Sequence, residues 1–257
     1  MLSQVMDCGT LCDPSRLRGF GVAIRRARAA GGAHATDRTI SSRRAERPGS
    51  TGLRDAFSKQ RLFQNAWKEL YPHHLEWVSL SQGGKVTSVD AADMTLVTDF
   101  DRRKAAVANV IPPQKAGRIA EAAGVADRTG WCPIDPGTFE SKLVPKIHVL
   151  GDAAIAGGMP KSAFAANAQA KVCAAAIVKL LAGEQPAEPK LINNCYSVVG
   201  PDYGISIAGV YRPVDGVLTE IPGSGGVSPL DAPRSTRAQE AQFADGWFNT
   251  ITNEVFG

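Results

Sequence analysis

The chain contains no run of about 18 consecutive apolar residues, so no segment is expected to cross a membrane as a helix. Met1 to Gly21 holds no basic stretch followed by a continuous apolar one, which excludes a recognisable secretory signal there. Cysteine is scarce, at 5 in 257 residues, too few for a disulfide scaffold. Cys8, Cys12, Cys132, Cys173 and Cys195 also lack the paired short spacings of a zinc site. The four histidines, His34, His73, His74 and His148, show no ligand spacing either, so no metal site is expected. Lysine is absent before Lys59, and the ten basic residues ahead of it are all arginine. The formal net charge of +4 therefore sits in the first 55 residues. An arginine patch can bind nucleic acid, but no aromatic interleaving or recognition helix accompanies this one, and nucleic-acid binding is not expected.

What remains is the composition of a soluble globular protein, 44% apolar and 21% charged, long enough for a substantial core in one large domain or two. Two segments differ in character. Met1 to Asp55 is rich in Arg, Ala, Gly and Ser and lacks the spaced large apolar residues that let an element bury a face. Such a segment does not offset its ordering entropy and is expected to be loose. A disordered arm, an upstream region read in the wrong frame and a fusion scar all fit it. The abrupt change near Ala56 favours the second.

From there the patterning is ordinary. Leu62, Phe63, Ala66, Trp67 and Leu70 form a helical stripe in Ser58–Tyr71, stopped by Pro72. Strands are predicted at Leu75–Leu80, Lys85–Val89 and Thr95–Thr98, a small antiparallel excursion. A buried strand follows at Ala106–Ile111, then a short helix at Gln114–Ala123 ended by Gly124. Beyond Leu191, strands are predicted at Tyr196–Val199, Ile205–Tyr211 and Val217–Ile221, with a closing helix at Gln239–Phe256.

The stretch that carries chemistry is Lys146-Ile-His-Val-Leu-Gly-Asp-Ala-Ala154. A predicted buried strand, Ile147–Leu150, runs into Gly151-Asp152, a small-residue loop ending at Pro160, and a long alanine-rich helix from Lys161 to about Leu181. Glycine at 151 lets a ligand approach the backbone. A carboxylate at a strand's end suits the hydroxyls of a sugar or ribityl chain, at the edge where open α/β sheets bind ligands. The helix start at Pro160, Lys161 and Ser162 offers free N–H groups and the positive end of the dipole. A plain strand–loop–helix unit, with Asp152 as a turn former, reads the same residues without a ligand. Cys173, inside the long helix, is expected in the core, and His148 as a satisfied half-buried residue. Cys132 is expected to pack in a turn, with a place near a ligand as the alternative, and Cys195 on its own reads as a small buried apolar residue.

The strand, Gly151-Asp152, loop and helix resemble the second FAD motif of glutathione-reductase-like flavoproteins. Within that class, residues from Asp55 to Gly257 resemble the flavoprotein subunit of flavocytochrome c sulfide dehydrogenase. The resemblance lies in Asp55-Ala-Phe-Ser-Lys-Gln60, Val110-Ile-Pro-Pro-Gln-Lys-Ala-Gly117, Gly130-Trp-Cys-Pro-Ile-Asp135, Met159-Pro-Lys-Ser162, Asn194-Cys-Tyr-Ser197, Pro201-Asp-Tyr-Gly-Ile-Ser206 and Gly223-Ser-Gly-Gly226. It implies an α/β chain: a partial doubly wound, glutathione-reductase-like FAD/NAD(P)-binding fold over residues 56–190, after the arm of 1–55. A small α+β flavin-binding domain would occupy residues 191–257.

The resemblance further implies a periplasmic enzyme that oxidises sulfide to sulfur or polysulfide and passes electrons through FAD to a cytochrome c subunit carrying the haem. Asp152 would hold the ribityl chain, with Gly151, Pro160, Lys161 and Ser162 beside the flavin. Cys195 matches the family's carboxyl-terminal redox cysteine, one of two that form a redox disulfide. The family's opening Gly-x-Gly-x-x-Gly turn and the partner cysteine have no counterpart here, which makes a truncated and impaired copy the expectation. Two other readings share these residues: an inactive remnant serving at most as a protein-binding module, and a related flavoprotein of thiosulfate oxidation.

Overall fold

The computed structural model describes residues 59–257, apart from 73, 74, 76, 79–84, 112 and 113, together with the backbone of 21–25. The chain is a mixed helix and strand protein that divides into two compact units. Of the described residues, one unit holds 21–25 and 64–114, the other 59–63 and 115–257. Cys8, Cys12 and half of the predicted strand at Leu75–Leu80 lie outside the described residues.

In the smaller unit, strand β1 (Gly21–Arg25) pairs antiparallel with β5 (Val107–Ile111). Five residues of the segment expected to be loose are thus a strand, Gly-Val-Ala-Ile-Arg. Strands β2 (Val86–Asp90), β3 (Thr95–Thr98) and β4 (Arg102–Lys104) form an antiparallel meander. The excursion was legible, but β4 was not, because three consecutive basic residues show no apolar alternation. Val86, Leu96 and Ala105 make the unit's small core, with Ala108 and Val110 packed against it. The expectation of a fully buried strand fails at Val107, which is exposed: β5 covers this core with one face only. Helix α1 (Gln60–Leu70) crosses the boundary between the units and stops before Pro72, with Leu62, Phe63 and Ala66 buried as the stripe requires.

The larger unit begins with the short helix α2 (Arg118–Ala122), ended by Gly124 at φ +70°. Its sheet work is done at the carboxyl-terminal end. Strand β8 (Leu191–Gly200) pairs antiparallel with β9 (Tyr203–Val214), whose other edge carries β10 (Val217–Glu220) and β11 (Gly226–Val227). The β9–β10 turn is Asp215-Gly216, both at positive φ, the two-residue turn that matches strand twist. Two helices complete the unit, α3 (Ala163–Leu181) and α4 (Arg234–Phe256). Of the described helices, α3 is the one long and apolar enough to cross a membrane by length and composition. Alanine supplies much of that character, and Ala165, Cys173, Ala168 and Val172 pack into a core with Leu191 and Tyr211 of the sheet.

One predicted strand fails. Ile147–Leu150 is not a buried parallel strand: Ile147 is 36% exposed, and the segment lies antiparallel to Phe139–Ser141 through one bridge, Glu140 to His148. Ser141 N donates to Ile147 O, and Val149 N to Phe139 O. The apolar run packs Val149 and Leu150 on one side only, which a period-free run does not reveal. Among the described residues the one parallel pairing comes after Asp152, where β7 (Ala154–Ile155) pairs with β6 (Cys132–Pro133). Cys132 is therefore on a short strand rather than in a turn. His148 is half-buried, and its Nδ1 donates to the Thr138 carbonyl at 2.9 Å, the satisfied histidine expected.

Candidate active site

The site is built on the turn before α3 and on the face of β8 that meets the start of that helix. Gly151 and Asp152 open a single 3-10 turn, Gly151–Ala153, and Gly151 sits at φ +69°, where a side chain would be strained. The turn is fastened from below. Gly151 N donates to Gln169 Oε1 on α3 at 2.7 Å. The Lys161 ammonium donates to the carbonyls of Asp152 and Ala154 (3.2 Å to the latter) and lies 3.7 Å from the centroid of the Trp131 ring. Lys161 is buried, so this cation braces the turn's backbone.

Asp152 itself is exposed, and its carboxylate makes no hydrogen bond among the described residues. A rigid turn that presents an unpartnered carboxylate fits a hydroxyl-rich group such as the ribityl chain of a flavin. Ser162 caps α3, its Oγ accepting from Ala165 N at 2.9 Å and donating to Asn193 Oδ1 at 2.5 Å. Pro160 precedes it, half-buried. The cap thereby joins the helix start to β8.

On β8, side chains alternate. Leu191, Asn193, Cys195, Ser197 and Val199 share the buried face, so Cys195 lies on the face whose Asn193 is bonded to the α3 cap. Cys195 is buried, 6% exposed, and flanked on its face by two buried polar side chains, Asn193 and Ser197. A third polar group was not singled out from the sequence. The ammonium of Lys59, 3% exposed, donates to the Cys195 carbonyl at 2.7 Å and to Ser197 Oγ at 3.3 Å. The signal for it was weak: Lys59 follows 58 residues without lysine and stands in one of the stretches that carry the family resemblance.

The other described thiols are core groups. Cys132 is 0% exposed, and burial pushes its thiol up, opposed by the nearby Lys161 charge. Cys173 is raised by burial as well, deep in α3, as expected of a packing residue. The structure thus brings Gly151, Asp152, Pro160, Lys161 and Ser162 together around the start of α3. Hydrogen bonds link that region to the face bearing Cys195.

A turn and helix start suited to a flavin, joined to a strand with a buried thiol, fit the class of flavin-binding oxidoreductases, here on a mixed helix and strand architecture. Two family models agree. Residues 187–256 match the family described as flavocytochrome c sulphide dehydrogenase, flavin-binding, and residues 52–112 match the central region of the sulfide dehydrogenase [flavocytochrome c] flavoprotein chain. Together the matches span half of the sequence, and the chain belongs to the flavocytochrome c sulphide dehydrogenase flavoprotein family. Its cofactor is FAD, and the family pairs the flavoprotein with a cytochrome subunit.

Proposed function

We propose that the chain serves sulfide oxidation in the periplasm, in a glutathione-reductase-like arrangement that delivers electrons to a cytochrome c subunit. FAD, when bound, supplies the electron acceptor between sulfide and that cytochrome. Asp152 holds the ribityl hydroxyls on the turn braced by Lys161 and Gln169. The amino end of α3, with Pro160 and Ser162, presents its dipole to the flavin ring. Cys195 provides one sulfur of the family's redox disulfide, whose second cysteine has no counterpart here; with such a partner in place, sulfide would attack one of the two sulfurs, forming a persulfide there and releasing the other as a thiolate.

The observation that carries this reading is the hydrogen bond from Ser162 to Asn193, which links the helix start to the face bearing Cys195. The test uses FAD-loaded protein with its cytochrome subunit and follows cytochrome reduction. Sulfide should drive reduction in the wild type, and Cys195→Ser should lower the rate by at least about a hundredfold, as loss of a covalent nucleophile does. Asp152→Asn should weaken FAD retention about tenfold, one charge-assisted hydrogen bond. Reduction driven by thiosulfate and not by sulfide, or a Cys195→Ser rate equal to wild type, would overturn the assignment.

A further inference from the structure

Lys59 is a buried cation that the reading above does not use. It precedes α1, yet it reaches β8, 136 residues later, at the residue that bears the candidate reactive thiol. Its hydrogen bond is to the carbonyl of Cys195 itself, at 2.7 Å, which places the ammonium within about 7 Å of that residue's sulfur by covalent geometry. The second bond, to Ser197 Oγ, is to a side chain on the same buried face as the thiol. Burying a lysine is costly, and its charge is screened far less than one in water.

We propose that Lys59 is a positioning residue for the reactive thiol: it fixes β8 at Cys195 and sets a buried positive charge beside the sulfur that stabilises its anionic form. The inference rests on the reading of Cys195 as the reactive sulfur. Among the described residues, the charged groups near this face are Lys59, Lys161 and, at the exposed turn before α3, Asp152, while Lys171 and Lys179 of α3 are exposed to water. Lys161 directs its ammonium to the carbonyls of Asp152 and Ala154. Glu240, which accepts from Ser206, and the Tyr196 phenol belong to the opposite face. Lys59 is thus a cation bonded directly to the residue bearing the thiol. As the thiol ionises, its proton passes to solvent and no other bond changes.

The test is alkylation of Cys195 in the full chain by iodoacetamide, with the Cys195 peptide quantified by mass spectrometry across pH 6 to 10. Lys59→Met and Lys59→Gln should both slow the reaction about tenfold at pH 7 and move the rate inflection upward, because each removes the charge. Lys59→Arg, which keeps the charge, should recover most of the rate. A purely structural role predicts the opposite sign, since loosened packing exposes a buried thiol and speeds its alkylation. Rates equal to or faster than wild type in Lys59→Gln, which keeps a donor for the Cys195 carbonyl, would overturn the proposal even if Lys59→Met does not fold. The assay needs neither flavin nor sulfide. Its failure leaves the sulfide reaction standing, whereas sulfide turnover that survives Cys195→Ser removes the reading beneath it.

Discussion

The two faces of strand β8 bury polar groups for different ends. One carries Asn193, Cys195 and Ser197, whose partners come from distant segments: Ser162 at the start of α3 and Lys59 ahead of α1. The other carries Tyr196 and Val198, opposite Ser206 and Gly204 of β9, and receives α4. There Glu240 accepts hydrogen bonds from the hydroxyls of Ser206 (2.8 Å) and Ser228 and pairs with Arg237 at 3.1 Å, while the Arg237 guanidinium reaches the Pro229 carbonyl. Trp247 completes that face, stacked on Phe164 at 5.7 Å and tilted on Tyr196 at 6.4 Å. The polar groups of the first face hold a thiol in place. Those of the second attach a helix. Changes to the α4 face should therefore cost stability and leave the Cys195 alkylation rate nearly unchanged.

The sharpest break is at the buried ion pair. Arg237→Met leaves the Glu240 carboxylate without its cation and should destabilise the protein by about 3–5 kcal/mol, the cost of stranding one partner of a buried pair. Replacing both residues with apolar ones should cost less than the single change, because the pair is itself expensive to bury and Arg237 Nε lacks a partner among the described residues. Urea unfolding of the single and double variants decides the point. A double variant less stable than Arg237→Met would show that the pair stabilises outright.

Gly204 comes next. Its Cα faces the backbone of α4, and a Cβ there would overlap Ala241 N and Glu240 C. Backbone cannot move aside as a side chain does, so Gly204→Val should cost about 2–3 kcal/mol by overpacking. The unfolding midpoint should fall while the Cys195 alkylation rate stays within about twofold of wild type. A large change in that rate would mean the two faces are coupled.

Much of the framework behind this comparison was legible in the sequence. Strands β8, β9 and β10, helix α3 and the stripe of α1 all follow from period and punctuation, although α3 begins at Ala163, two residues after the expected Lys161, with Ser162 as its cap. Helix α4 starts five residues before the predicted Gln239, at Arg234, because its first turns bury Arg237 and Glu240 instead of large apolar residues. Hydropathy reads such residues as solvent-facing. The strand Ile147–Leu150 failed for the converse reason, since an apolar run does not tell whether one face or two will be covered. Residues joined by chain direction alone, Gly151 through Ser162, were found together. Lys59 was not, because its role arises from a contact 136 residues away in sequence.

The smallest effect belongs to the link between the two helices. Glu254 of α4 accepts from Lys171 of α3 at 2.9 Å and from Asn167 at 3.2 Å. Those hydrogen bonds, Lys171 first, hold its carboxyl below the ordinary carboxylate range. A depressed folded value means the carboxylate form is favoured in the folded protein. Its contribution is therefore present above the unfolded carboxyl's value and fades as pH falls through the lowered folded value. Because the pair is exposed to water, that contribution is small and weakens further with salt. Glu254→Gln should barely shift the thermal midpoint at pH 7 in low salt, and the difference from wild type should vanish in molar salt and as pH falls below the lowered value of the carboxyl. A loss at pH 7 comparable to that of Arg237→Met would mean the far end of α4 is held by this contact and not by the buried pair, and the division between the faces of β8 would no longer account for how the helix is attached.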